Sequence, residues 1–262
     1  MNKKIVSFTG TEFQYPMSPS LAYVVGAVLA DGCVFKSTAY IVRLDVMDKD
    51  FAETFCKCLK EVTTEYSPCL YQSKRGTWIA AVGSKKLYLT MKGFKLEWIL
   101  EGEEKEKQAS MFLRGFFDGE GTVYASEPRA IYAYNTDYEL MLFVQKCLSV
   151  VGIYTNIHKK TDNRVNRSLC YILGIYGREN IQKYHNKVGF SIQRKQERLD
   201  KLIKSYVTRQ YNPQIYFKVM ELSKQGLSVS EISKEVHLSH QRVFGWTKVG
   251  EIPSVVKNQF RS

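Results

Sequence analysis

One short pattern occurs twice in this chain. Val24-Val25-Gly26-Ala27-Val28-Leu29-Ala30-Asp31-Gly32 and Leu113-Arg114-Gly115-Phe116-Phe117-Asp118-Gly119-Glu120-Gly121 are apolar stretches with an internal glycine, each closed by an acid and a glycine. The closing acids, Asp31 and Glu120, stand 120 − 31 = 89 positions apart. Sliding the chain by that offset without gaps sets Asp48 on Asp137, Phe51 on Leu140, Cys58 on Cys147, Leu59 on Leu148 and Val62 on Val151. A period this long, seen only twice, marks a duplicated domain rather than a solenoid. Gly93-Phe94 and Gly189-Phe190 close the two units at an offset of 96, so the second unit carries a short insertion, which falls at Asp162 to Arg167.

Both units read alike. In the first, Ser18 caps a helix that has Pro19 at its first position and runs to Asp31-Gly32. Tyr40, Val42, Leu44 and Val46 alternate with Arg43 and Asp45, the pattern of a half-buried strand with a polar face. A helix over 49–61, strands over 70–74 and 77–82 and a short helix ending near Gly93 complete the unit. The second repeats the order over 106–120, 122–134, 138–150, 154–159, 169–175 and 178–187, and the acidic run Glu101 to Glu106 reads as the joint between units. The fold class expected is α+β. It consists of two pseudo-symmetric αββαββα units, residues 1–100 and 101–205, followed by a small all-α module at 206–262.

Composition narrows the function classes. The 262 residues include 38 Lys and Arg against 26 Asp and Glu, a formal charge of +12, and a surplus of that size points to nucleic acid before an anionic membrane. The longest apolar run, Leu21 to Ala30, is about half the span of a transmembrane helix. The N-terminal stretch has no apolar core of signal-peptide length, so an intracellular location is expected: the cytoplasm of a prokaryotic or phage host, or an organelle. Six scattered cysteines read as reduced thiols, and Cys56 and Cys58 lack the partner pair of a zinc site. No GxxxxGK[ST] loop is present, and four dispersed histidines do not make a zincin or a histidine-based nuclease. Gly152-Ile153-Tyr154 and Tyr171 to Gly174 look superficially like GIY-YIG, but they fall mid-chain on strands the repeat already explains.

The physical chemistry of the duplicated stretch is specific. Gly26, Ala27 and Ala30 in one helix, and Gly115 and Gly119 in the other, leave so little bulk that the two could pack backbone to backbone. Asp31 and Glu120 would then close the C-terminal ends of paired helices, where the macrodipole already disfavours a carboxylate. Divalent cations resolve that conflict, and hard oxygen ligands with open water positions suit Mg²⁺.

On these residues the chain resembles the LAGLIDADG homing endonucleases in their single-chain, two-motif form, over about residues 18 to 205. The second copy matches the motif closely; the first departs at Leu29, where the motif has its earlier acid. The resemblance implies an antiparallel β-saddle over duplex DNA, with the two motif helices as the interface between halves. It implies that Asp31 and Glu120 are catalytic, with the Ala30 and Gly119 carbonyls as further metal ligands, and that two or three Mg²⁺ ions act, with Mn²⁺ substituting. It implies in-line phosphodiester hydrolysis assisted by a basic residue. Lys195 matches that lysine, while Lys107 is its candidate in the first unit and reads equally as an ordinary exposed lysine. The family's polar strand residue falls near Asn135 and Val46, of which only Asn135 is polar, so unequal half-sites are expected, with nicking or sequential cutting as the consequence. Base-reading candidates are Arg43, Asp45, Gln72, Lys74 and Arg75 in the first unit, and Asn156, His158, Lys160, Arg164 and Arg167 in the second.

Residues 212 to 250 form a third pattern. Tyr216 to Lys224 is an amphipathic helix, Ser228-Val229-Ser230-Glu231 is a capping box opening a second, and Ser239 can cap a third through Trp246. This resembles the helix-turn-helix of resolvases and transposases, with His240, Gln241 and Arg242 toward the major groove; a plain helical cap is the alternative. Lys201 to Tyr211 reads as the linker. The function expected is a monomeric, intron-encoded, site-specific double-strand DNA endonuclease. The alternative is an intron maturase holding RNA, or a DNA-binding regulator without cleavage.

Overall fold

The computed structural model describes residues 15–126, 129–160, 169–206, 213–253 and 256. The chain divides into two compact units between Tyr206 and Val207.

In the larger unit, Ser18 accepts a hydrogen bond from the Leu21 N–H at 3.2 Å and opens α1 (Pro19–Ala30). β1 (Gly32–Lys36), β2 (Tyr40–Val46), α2 (Lys49–Val62), β3 (Cys69–Gln72), β4 (Trp78–Gly83) and α3 (Lys85–Lys92) follow. A 3-10 turn at Leu96–Leu100 leads into α4 (Lys105–Glu120), and the order repeats: β5 (Gly121–Tyr124), β6 (Ala130–Asn135), α5 (Tyr138–Val150), β7 (Asn156–Lys160), β8 (Cys170–Tyr176) and α6 (Arg178–Lys187). The fold is α+β. Each half contributes one four-stranded antiparallel sheet, ordered β1-β2-β4-β3 in one and β5-β6-β8-β7 in the other. Expected and observed elements agree within two residues at most ends, because the apolar periodicity that marks each element is also what buries it.

α1 and α4 form the centre of the unit. A Cβ built on Gly26 would stand 2.2 Å from the Phe112 carbonyl oxygen, and one on Gly115 would stand 2.3 Å from that of Tyr23. Only glycine permits this approach, and it does so reciprocally, each helix resting on the other's backbone. Tyr23, Ala27, Phe112 and Phe116 are fully buried around the crossing, and the apolar faces of α2, α5 and both sheets pack around them in one continuous core.

One expectation is corrected. Lys201 to Ser205 is not linker: α7 (Gln193–Ser205) runs through it, with Leu199 and Leu202 fully buried.

The smaller unit has its own core of Val219, Ile232, Val243 and Trp246. α8 (Pro213–Lys224), α9 (Val229–Glu235) and α10 (His240–Phe244) surround it, and a π-helical turn continues α10 to Val249. The capping box at α9 is complete: the Ser228 N–H donates to Glu231 Oε2 at 2.8 Å and the Glu231 N–H donates to Ser228 Oγ at 3.3 Å. Ser239 precedes α10 without a side-chain cap bond.

Candidate active site

The parallel crossing brings the C-terminal ends of α1 and α4 together. A Cβ on Gly119 would lie 2.5 Å from Ala30 Cβ and 2.6 Å from Asp31 Oδ2, so the Asp31 carboxylate rests against the backbone beside Glu120. Burial pushes the Glu120 carboxyl up to about 7; the Asp31 charge adds to this, and the Asn135 amide and Lys195 oppose it. Asp31 is open to solvent on one side, yet partial desolvation raises its carboxyl too, against the pull of Lys195. Two carboxyls that both resist ionisation at the negative ends of two helices form a site short of positive charge.

The halves of the site are unequal. Asn135, at the end of β6, donates from Nδ2 to Glu120 Oε1 at 3.0 Å. At the position 89 residues earlier stands Val46, which has nothing to donate to Asp31. Asp118, two residues back on α4, is 1% exposed and accepts from the Tyr23 hydroxyl at 2.7 Å and the Ser191 N–H at 2.9 Å. Its carboxyl is raised to about 6 by burial, against the effect of those bonds. Its counterpart is Leu29, 39% exposed.

Lys195 enters from the first turn of α7. Its buried ammonium donates to the carbonyls of Phe117 at 3.1 Å, Asp118, and Gly119 at 3.2 Å, so it caps the C-terminal end of α4. Burial brings it down to about 8. α7 is held by both halves. Arg194 makes a two-pronged ion pair to Asp48, both bonds at 2.7 Å; the Gln193 N–H donates to Asp50; and Asp118 holds Ser191, just ahead of the helix. Tyr23 and Asp118 escaped the sequence reading, although Asp118 was visible as the motif's earlier acid.

Lys107 does not join this site. It lies on the first turn of α4, exposed, with Nζ 3.4 Å from Glu104. Glu120 is thirteen residues further along (120 − 107 = 13), about 20 Å at the helical rise.

Each sheet has one face on the helices and one open. In the first sheet Arg43 and Asp45 point to the open face, where they pair with each other at 2.5 Å. Gln72 does not share it: Gln72 pairs with Trp78, and Trp78 with Val46, a row of the opposite parity, and its amide donates to the Gly76 carbonyl at 3.1 Å. Tyr71, 48% exposed, takes its place on the open face. Lys74 and Arg75 are exposed in the β3–β4 turn. Asn156, His158 and Lys160 alternate along β7 on the open face of the second sheet, beside four tyrosines that the sequence reading did not single out. Arg164 and Arg167 lie outside the described residues. In the smaller unit His240, Gln241 and Arg242 are exposed on α10.

Among the described residues no three His, Cys, Asp or Glu side chains cluster as ligands. The donor set at the helix ends is therefore two carboxylates with the Ala30 and Gly119 carbonyls beside them, of which Gly119 already accepts from Lys195. That set fits a hard cation that keeps much of its water and takes its remaining ligands from a phosphate. No helix among the described residues is long and apolar enough to cross a membrane.

Residues 107–189 match the LAGLIDADG-like domain. The uncharacterized protein MJ0398 of Methanocaldococcus jannaschii is 32% identical over 205 residues, which cover 72% of this chain and 73% of that one. Homing endonuclease I-ApeI of Aeropyrum pernix is 24% identical over 200 residues, 70% of this chain and 87% of that one. The crystal structure of I-DmoI in complex with DNA and Ca shares the fold, with a TM-score of 0.52 at 19% identity, covering 70% of this chain and 97% of that one. The chain belongs to the LAGLIDADG family, in the single-chain form that carries two units.

Proposed function

We propose that this protein is a monomeric, site-specific endonuclease of double-stranded DNA, intron-encoded, that hydrolyses one phosphodiester bond on each strand with Mg²⁺. The observation that carries the proposal is the meeting of Asp31 and Glu120 at the ends of the paired helices, each carboxyl raised by its surroundings. A binding-only member of the fold has no use for that costly arrangement. The I-DmoI complexes with DNA and Ca, and with nicked target DNA and Mn, support a DNA partner and a divalent cation. Asp31 and Glu120, with the Ala30 and Gly119 carbonyls, would hold the cations. When bound, these supply Lewis acidity and neutralise the charge that develops on the phosphate.

The chain's own groups divide the remaining work. Asn135 fixes one oxygen of Glu120 and leaves the other free to turn to a ligand. Lys195 neutralises the end of α4 and brings a positive charge within reach of a scissile phosphate. The open sheet faces read base edges, and the smaller unit, through His240, Gln241 and Arg242, extends the grip on DNA. Because the glutamate half has Asn135 and the aspartate half has Val46, the two strands are cut at different rates.

The test is incubation with the intronless form of the host locus, with and without Mg²⁺. Cleavage at one site only when Mg²⁺ is present is the expected outcome. No cleavage together with tight binding of the intron RNA would instead establish a maturase.

A further inference from the structure

Where the first sheet's open face has its exposed rings, Phe35 and Tyr71, on opposite edge strands, the second sheet's open face gathers its rings into one cluster. Tyr124 on β5, Tyr132 and Tyr134 on β6, and Tyr176 on β8 lie on it together, because the register sets Tyr124 opposite Ala130 opposite Tyr176, with Tyr132 two residues along from Ala130. Tyr132 is the hub: its ring centroid is 5.4 Å from that of Tyr124, 6.1 Å from Tyr134 and 5.6 Å from Tyr176. Gly174 makes room for the cluster, since the Tyr176 ring lies over it and a Cβ there would meet that ring at 2.4 Å. Tyr124 and Tyr176 remain 41% exposed. The phenols also engage each other, Tyr132 with Tyr176 and Tyr134 with Tyr124, and both Tyr132 and Tyr134 are pushed up to about 12.

The duplicated half is the control. The four equivalent positions in the first sheet, by the 89-residue offset and by strand register, are Phe35, Arg43, Asp45 and Gly83. There an ion pair occupies the middle of the face. In the second sheet it is replaced by rings, and the polar side chains His158 and Lys160 lie on the outer strand β7 instead.

In the major groove the thymine methyl is the one apolar group a base pair presents, whereas guanine asks for a bidentate cation. A continuous surface of rings packed edge to face, whose hydroxyls are turned to one another, meets the first demand and not the second. We infer that the tyrosine face of the second half is a specificity device that reads thymine methyl groups, so that this half of the target is thymine-rich and the other is not. The inference rests on the DNA-binding reading proposed above and deepens it.

The experiment starts with duplexes selected from a random pool by the full chain in Ca²⁺, followed by replacement of dT with deoxyuridine in one half at a time. Deoxyuridine removes only the methyl. One half should lose about fourfold in affinity per methyl removed, and the other should not respond. Tyr176→Ser should abolish the discrimination in that half, while Tyr176→Phe, which keeps the ring, should retain it; the exposure of this side chain makes both variants compatible with folding. Equal affinity for dT and deoxyuridine throughout a selected target overturns this inference alone, as does loss of discrimination in Tyr176→Phe. A pool that yields no sequence overturns the DNA-binding reading, and the inference with it.

Discussion

On the proposed function, Asp118 governs Lys195 without itself touching substrate. Its buried carboxylate ties α1 through Tyr23 to the residue just before α7 through Ser191, and Lys195 follows within the next turn. Asp118→Ala leaves the Ser191 N–H without its acceptor and the buried Tyr23 phenol with only Ser191 Oγ, at 3.2 Å, a loss of about 1–3 kcal/mol of stability measurable by denaturant unfolding. Single-turnover cleavage should fall as well. In a Lys195→Ala background Asp118→Ala should have almost no further effect on that rate, because Asp118 acts on it by placing α7 and so Lys195. Multiplying effects would show that Asp118 acts by another route. Asn135→Ala should slow cutting of one strand only, so nicked plasmid should accumulate where the unaltered protein gives linear product. Equal slowing of both strands would contradict the inequality of the half-sites.

Among the elements, the α1–α4 pair sets the geometry and α7 completes it. Gly26→Ala forces a methyl into the Phe112 carbonyl, and neither helix can retreat without opening the core, so a loss of about 2 kcal/mol or more is expected in thermal unfolding. The Asp48–Arg194 link answers to acid. Arg194 holds the Asp48 carboxyl below its ordinary value, so the link contributes fully above about pH 4 and is lost as pH falls through the lowered value. Asp48→Asn should therefore cost about 1 kcal/mol at neutral pH and almost nothing near pH 2. The helix pair and its acids were legible in the sequence because glycine spacing, apolar periodicity and the repeat all point the same way. α7 was not: its surface is mostly charged, and it is held by Asp48 and Asp50, more than 140 positions away. Gln72 was misassigned for a different reason, since a strand shifted by one residue exchanges its faces, and only the register separates Gln72 from Tyr71. The tyrosine face was hidden in the same way.

At the scale of the molecule, the +12 charge does not sit on the reading faces. Arg43 is matched by Asp45 there, and the second face is largely phenolic. The proposed function then draws its affinity for the phosphate backbone largely from loops, helix ends and the smaller unit. Removing residues 207–262 should leave the larger unit folded, shorten the protected DNA and lower affinity about tenfold with a shallower salt dependence; an unchanged footprint would assign the smaller unit another role. On the proposed function, Asp31 and Glu120 serve chemistry and not binding or folding. The most direct measurement is cleavage and DNA affinity, side by side, for the unaltered chain, Asp31→Asn and Glu120→Gln in Mg²⁺. Both variants should bind the target as tightly as the unaltered chain and cut neither strand. Cleavage by either variant, or loss of binding in both, would contradict it.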